Sequence, residues 1–466
     1  MAASKPATLG ELRSAGYAPE SVKQELRRNV LARLRAGRPV LSGLVGYEDT
    51  VVPQVVNAIL ADHDFILLGE RGQAKSRLMR SLVELLDEEI PIVLQSELND
   101  DPFAPISPQA RDLVAERGEA TPIDWLPRDR RYGEKLATPD ISIPDLIGEV
   151  DPIRVAEGRY LSDELTLNYG LIPRCNRGIF AINELPDLAE RIQVGLLNIM
   201  EEKDVQIRGH LIRLPLDLLV VASANPEDYT SRGRIITPLK DRFGAQVRTH
   251  YPLRISEEIA IMEQEASAPP PGVEVLVPAF MKEILAELTH LARRSPHISQ
   301  SSGVSVRMSI ANFETLEANA VRRAARLGEP LAVPRISDLE FLVASTSGRV
   351  EIEALDEGKD DQVVERIRRG AVSAVFGRHF SAGQFDNLVA SFDEGEVVEA
   401  GEALPAAAYE RAIGNRDEIS SAVRRLGLPD RPEVRAAVVE FLVEGLHLAK
   451  RLNKDEVDGR ATYRRS

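Results

Sequence analysis

Between Leu44 and about Tyr251 the hydrophobic positions fall into short apolar runs separated by stretches of helical spacing. That rhythm predicts a parallel sheet covered by helices. The runs at 65–68, 91–95, 178–182 and 218–223 predict strands, and the stretches at 74–88 and 186–202 predict helices. Ahead of them, Val22, Leu26, Val30 and Leu34 recur at near-helical spacing behind Ser21, which predicts a capped helix to about Ala36. Residues 96–175 break the rhythm: they are rich in proline and charge, and read as an insertion with a function or as a disordered loop. Pro269-Pro270-Pro271-Gly272 reads as a linker. Helical periodicity then returns at 278–294, 306–327 and 336–345, and again near 361–376 and 432–452 among acidic loops. The expected organisation is a helical lead-in over 1–40, an α/β domain over 41–268, a helical domain over 269–348 and a mainly helical region over 349–466.

The first apolar run leads into Gly69-Glu70-Arg71-Gly72-Gln73-Ala74-Lys75-Ser76, a phosphate-binding loop with Ala74 in place of its last glycine. The spacing has a physical purpose. A tight turn leaving a strand points successive N–H groups inward, and the next helix offers its unpaired N-terminal donors to the same anion. Lys75 would reach the outer phosphates, and the Ser76 hydroxyl would ligate Mg²⁺. A plain turn between strand and helix is the alternative.

Four further features follow in an order that suits nucleotide hydrolysis. The strand Gly178-Ile-Phe-Ala-Ile-Asn183-Glu184 ends in two polar residues. In P-loop ATPases such a strand carries an Asp for the Mg²⁺ shell and a Glu that polarises water. Asn183 offers a carbonyl oxygen without the charge, and Glu184 is the candidate base. Leu218-Leu-Val-Val-Ala-Ser-Ala-Asn225 is a second buried strand ending in an amide that can position the lytic water, or that merely begins an Asn-Pro turn. Arg242, in Pro238-Leu-Lys-Asp-Arg242-Phe-Gly, could act in trans on a neighbour's γ-phosphate. Arg307 opens a helix in the later helical domain. Taken singly, Arg242 reads as solvated charge, and Arg307 alone carries no more weight than that.

In order and spacing, these motifs resemble the AAA+ ATPases of the magnesium-chelatase ATPase-subunit (ChlI/BchI-like) and MoxR-like branch. The resemblance rests on Leu44-Val45-Gly46-Tyr47-Glu48, Gly69–Ser76, Asp145-Leu-Ile-Gly148, Gly178–Glu184, Ser223-Ala-Asn-Pro226, Asp241-Arg-Phe-Gly244 and Ser305-Val-Arg307, and covers roughly residues 40–330. It implies a P-loop AAA+ parallel-sheet domain with helices on both faces, a helical lid, and assembly into a homo-oligomeric ring, commonly a hexamer. It places Val45, Gly46 and the loop residues Gly69 to Arg77 at ATP, and Ser76 and Asn183 at Mg²⁺. Glu184 becomes the base, Asn225 the first sensor, Arg242 the trans finger and Arg307 the lid sensor. It also implies a hairpin over 204–214 centred on Gly209, facing the ring pore or a partner. That partner would be a separate protein carrying a von Willebrand factor A domain.

Composition narrows the remaining choices. The net charge of −15 disfavours strong non-specific DNA binding, and so a DNA-remodelling motor. The Gly-Ala-Phe-Thr-Gly-Ala loop of σ54 activators is absent from the sequence. Cys175 is the single cysteine, which fits a reducing cytosol and reads as a small buried hydrophobe. There is no apolar run long enough to span a bilayer, and the first residues lack a signal-peptide core, so a cytoplasmic location is expected. Arg128-Asp-Arg-Arg131 and Arg366-Ile-Arg-Arg369 read as solvated faces or inter-subunit salt-bridge partners, and Trp125 as packing under a loop. The expected function is MgATP hydrolysis that remodels a client protein, in metal insertion or a chaperone role. A nucleotide-binding scaffold weakened by Ala74 and Asn183 is the alternative.

Overall fold

The structure is a computed structural model. It describes residues 5–150, 167–201, 204–207, 210–226, 234–299, 303–351, 360–457 and 460–465. The chain divides into two compact units, Met1–His250 and Tyr251–Ser466.

In the first unit five parallel strands form the central sheet: β1 (Phe65–Leu68), β2 (Tyr132–Leu136), β3 (Gly178–Asn183), β4 (Leu218–Ala224) and β5 (Ala245–Arg248). Their spatial order is β5-β1-β4-β3-β2. Successive side chains along a strand point to opposite faces, and the packing follows that alternation. Ile66, Phe180, Ile182, Val220 and Ala222 face one core, together with Ile192, Leu196 and Ile199. Phe65, Leu67, Ile179, Ala181, Leu219 and Val221 face the other, with Val22, Leu26, Val30, Val55, Leu78 and Met79. Strands buried on both sides read as unbroken apolar runs, which is why β1, β3 and β4 are legible in the sequence.

Helix α1 (Val22–Arg35) begins as expected at Ser21, whose hydroxyl accepts from the Gln24 N–H in a reciprocal capping box. Val22, Leu26 and Val30 are buried, whereas Leu34 is exposed. Helix α2 (Val51–Leu60) and helix α3 (Lys75–Ser81) cover the same face. The helix expected over 74–88 is shorter: α3 passes into a 3₁₀ turn at Leu82–Leu85. The one expected over 186–202 is α4 (Glu190–Glu201) behind a 3₁₀ turn at Leu185–Asp187. Helix α5 (Thr237–Arg242) follows β4.

The edge of the sheet departs from expectation. The apolar run at 91–95 lies in Glu89–Val93, which pairs antiparallel with Ile123–Pro127 in a separate two-stranded sheet. The fifth strand of the main sheet is β2, inside the stretch read as an interruption. Its sequence, Tyr-Gly-Glu-Lys-Leu, carries no apolar run because an edge strand keeps one side open; Leu136 is more than half exposed. Trp125 is half-buried in the small sheet and donates its indole N–H to the Pro6 carbonyl at 3.0 Å. Residues 151–166 of that stretch lie outside the described residues. The hairpin expected over 204–214 is present as Asp204–Ile207 paired with His210–Arg213; its centre, Gly209, is outside the described residues.

The second unit is mainly helical: α6 (Ala279–Arg294), α7 (Val306–Leu327), α8 (Asp360–His379) and α9 (Pro432–Leu448) enclose one core, with Phe280 stacked on Phe441 at 4.4 Å between ring centroids. A three-stranded antiparallel sheet, Val398–Ala400, Arg460–Arg464 and Asn453–Val457, belongs to the same unit.

Candidate functional site

The register of the sheet places Leu68 opposite Ala224, and Ala222 opposite Ile182. The residues leaving β1, β3 and β4 therefore emerge together at the carboxyl edge, where open parallel sheets receive ligands. They are Gly69, Glu184 and Asn225.

The loop after β1 is tied down from several sides. The Gly69 N–H donates to the Ala224 carbonyl at 3.1 Å. The Gln73 side-chain oxygen accepts from the Glu70 N–H at 3.1 Å and from the Thr249 hydroxyl at 2.7 Å. The Tyr47 hydroxyl donates to the Gln73 carbonyl at 2.7 Å, which anchors the Leu44–Glu48 segment to the loop; burial pushes that phenol up to about 12. A Cβ at Gly69 would collide with the Thr249 hydroxyl and the Gln73 side-chain oxygen, so a larger residue there would displace the hydrogen bond that shapes the loop. Gln73, Tyr47 and Thr249 thus set the loop's shape, although nothing in their sequence spacing marks Thr249 for that task.

The Lys75 ammonium is buried and donates to the Gly69 carbonyl at 2.5 Å and the Glu70 carbonyl at 2.9 Å. Beside it the Ser76 hydroxyl donates to Asn183 Oδ1 at 2.9 Å. That oxygen also accepts from the Ser223 hydroxyl at 3.2 Å, and Ser223 Oγ in turn accepts the Glu184 N–H at 3.2 Å. Asn183 Nδ2 donates to Glu134 Oε1 at 2.5 Å. Asn183 and Asn225 are buried, while Glu184 is half-buried. The structure therefore brings Gly69 to Ser76, Asn183, Glu184 and Asn225 to one place. Glu134 and Ser223 join them, the first with no sequence signal.

Two site residues hold left-handed backbone without being glycine: Ala74 at φ 51° and Glu184 at φ 55°. Ala74 is the residue that enters α3, so the methyl group that replaces glycine sits where the chain turns most tightly. For Glu184 the turn sends the carboxylate-bearing residue off the end of β3 just as the chain enters its 3₁₀ turn. Gly46 and Gly72 are also left-handed.

Arg242 ends α5, is 42% exposed at its side chain, and meets Glu201 at 3.4 Å. It is not among the residues gathered at the loop. Arg307 lies in the first turn of α7 in the second unit and is exposed; its N–H donates to the Ser305 hydroxyl at 3.1 Å. The basic run 128–131 departs from the solvated reading. Arg131 is fully buried, with its guanidinium forked on Glu25 at 2.8 and 2.5 Å. Arg368 of the second basic run is buried as well, against Glu365. Cys175 is buried, and its thiol is pushed up to about 12 by that burial. No cluster of His, Cys, Asp and Glu with metal-holding geometry occurs among the described residues, and none of their helices is long and apolar enough to cross a membrane.

Comparison with known proteins finds magnesium-chelatase ChlI subunits among the relatives of the chain. The chain is 30% identical over 244 residues to the magnesium-chelatase subunit ChlI of Mesostigma viride, covering 48% of this chain and 61% of that one. It is 28% identical over 246 residues to ChlI of Chlorella vulgaris (50% and 64% covered), and 26% identical over 258 residues to ChlI of Nostoc sp. PCC 7120 (54% and 64% covered). The chain thus spans less than two thirds of the length of these curated relatives. A structure of the complex between subunits BchI and BchD of magnesium chelatase aligns at 22% identity and a TM-score of 0.35, over 68% of this chain and 97% of that one, too loosely to add to the argument. No protein-family model matches the chain. A β5-β1-β4-β3-β2 sheet with a phosphate-loop sequence leaving its β1 gives the first unit the parallel-sheet α/β architecture of an AAA+ domain, and over about half its length the chain is similar to ChlI subunits of magnesium chelatase.

Proposed function

We propose that this protein binds and hydrolyses MgATP at the loop after β1 and uses the conformational work to remodel a partner protein. The observation that carries the reading is the 2.9 Å hydrogen bond from Ser76 on the loop helix to Asn183 at the end of β3. It joins the phosphate end of the site to the strand that bears Glu184. The residues present fit the nucleotide: a side chain at 69 would collide with the Thr249 and Gln73 side chains, and Lys75 is held at the loop by carbonyl groups that a phosphate can replace as its partner. Ser76 and Asn183 would hold the magnesium, which when bound supplies positive charge to the phosphate oxygens.

The roles of the chain's own groups follow. Lys75 and the N-terminal N–H groups of α3 bind and orient phosphate. Glu184 accepts the proton of the attacking water, and Asn225 orients that water from the end of β4. Arg242, exposed and away from its own loop, stabilises charge on the nucleotide of a neighbouring copy in a ring, and Arg307 does so from the helical unit. Val45 and Gly46 flank the base. A separate protein with a von Willebrand factor A domain is the proposed partner, on the strength of the family resemblance, with metal insertion or chaperoning as the task and the cytoplasm as the location.

Steady-state ATPase activity with Mg²⁺, at several protein concentrations and beside Glu184→Gln and Arg242→Ala, tests the reading. Turnover should rise with assembly, and each variant should lose about 10²-fold or more while still binding nucleotide. Nucleotide binding without turnover, the same in all three proteins, would replace the motor with a nucleotide-gated scaffold. The left-handed alanine at position 74 is the observation that favours that second reading.

A further inference from the structure

Resting on the nucleotide-site reading above, we propose that Glu134 is a positioning residue for the cation side of the site. It fixes the Asn183 amide with its carbonyl oxygen toward Ser76, and it holds on the neighbouring strand the negative charge that residue 183 lacks. An ionised carboxylate only accepts hydrogen bonds, so the group facing Glu134 Oε1 at 2.5 Å has to be the NH₂ of Asn183. The amide oxygen is thereby turned to the Ser76 hydroxyl at 2.9 Å and the Ser223 hydroxyl at 3.2 Å. Without Glu134 the amide could present either end.

Glu134 is itself held. Arg80 donates to its two oxygens at 2.7 and 2.9 Å, and the Tyr132 hydroxyl donates at 3.1 Å. Arg80 lies one turn beyond Ser76 on α3, so Ser76, Asn183, Glu134 and Arg80 close a ring across α3, β3 and β2. Both Glu134 oxygens thus act as acceptors, Oε1 toward Arg80 and Asn183 and Oε2 toward Arg80 and Tyr132. An aspartate at 183 would set two carboxylates against each other at that 2.5 Å contact, which like charges oppose. Asn183 and Glu134 therefore form one unit, in which the charge has moved one strand outward and the carbonyl oxygen faces Ser76, where it would serve a bound cation.

The test uses the full-length protein and a fluorescent ADP analogue, with binding titrated against Mg²⁺ so that no turnover is needed. Glu134→Gln should raise the half-saturating Mg²⁺ concentration about tenfold, the usual scale for losing a partner that orients a metal ligand. In the double variant Glu134→Gln with Asn183→Asp, the new amide donates to the new carboxylate, and the Mg²⁺ requirement should return to within about threefold of the original. Arg80→Gln, which removes a mostly exposed guanidinium while leaving Glu134 against Asn183, should stay within about twofold. An unchanged Mg²⁺ requirement in Glu134→Gln, no recovery in the double variant, or an Arg80→Gln effect as large as that of Glu134→Gln would each overturn the proposal. Absence of any Mg²⁺-dependent nucleotide binding in the unaltered protein would instead remove the nucleotide-site reading itself, and with it the proposal.

Discussion

Ala74 shows how much one methyl group can weigh. The turn into α3 requires left-handed backbone, and a non-glycine residue pays roughly 1–2 kcal/mol to adopt it. Glycine restores the freedom but loses more chain entropy on folding, so Ala74→Gly should stabilise the protein by about 0.5–1 kcal/mol. Equilibrium urea unfolding checks this, and a loss of stability would mean that the loop is not held as described. Glu184 is the second left-handed residue at the site, and strain in the chain at functional residues is a recurrent pattern. The loop motif, the Asn-Glu pair and Asn225 are legible from sequence because each sits at a fixed step from an apolar run. Glu134 and Thr249 are not legible, because their partners lie 49 and 176 positions away along the chain.

Among elements, α1 depends on a tertiary contact that its pattern does not reveal. Its apolar positions pack on the sheet, but it also carries the buried Glu25, which receives both arms of Arg131 and the Asp87 N–H. Leaving one partner of such a pair buried and uncompensated costs about 3–5 kcal/mol, whereas replacing both by apolar residues is often neutral. Glu25→Gln should therefore destabilise the protein by about 3 kcal/mol. Glu25→Leu combined with Arg131→Met should recover most of that loss in the same urea titration, and no recovery would show that the pair does more than neutralise itself. The run 128–131 looked solvated because all four of its residues are charged in the manner of a surface turn. Only the fold reveals that the last of them points inward.

For the molecule as a whole, the two units have separate cores, and that of the second encloses a buried carboxylate that responds to acid. In the second unit Glu258 is buried, which by itself would raise its pKa, yet His290 at 3.6 Å and the Arg293 fork at 2.8 and 3.1 Å hold it below the usual carboxylate value of 4.5. A carboxyl depressed in the folded state contributes stability that is complete above its unfolded pKa and is lost as pH falls through the folded one. Stability of the helical unit should therefore decline below about pH 4.5. Arg293→Ala should flatten that acid limb, as read by urea unfolding at pH 7, 5, 4 and 3. An acid limb as steep in the variant as in the original would assign the loss to other groups.

The sequence by itself determined the α/β class, the strands buried on both faces, the capped lead-in helix, the long helices of the second unit and the phosphate loop. These follow from short-range rules: two-residue and 3.6-residue periodicity, capping chemistry and turn stereochemistry act between neighbours in the chain. Only the tertiary structure decided that Tyr132–Leu136, with no apolar run, completes the main sheet while residues 91–95 leave it. It alone also placed Glu134 against Asn183 and Arg131 against Glu25. Both outcomes depend on which surfaces remain exposed and which charges meet after folding, and those are properties of distant segments brought together rather than of any local pattern.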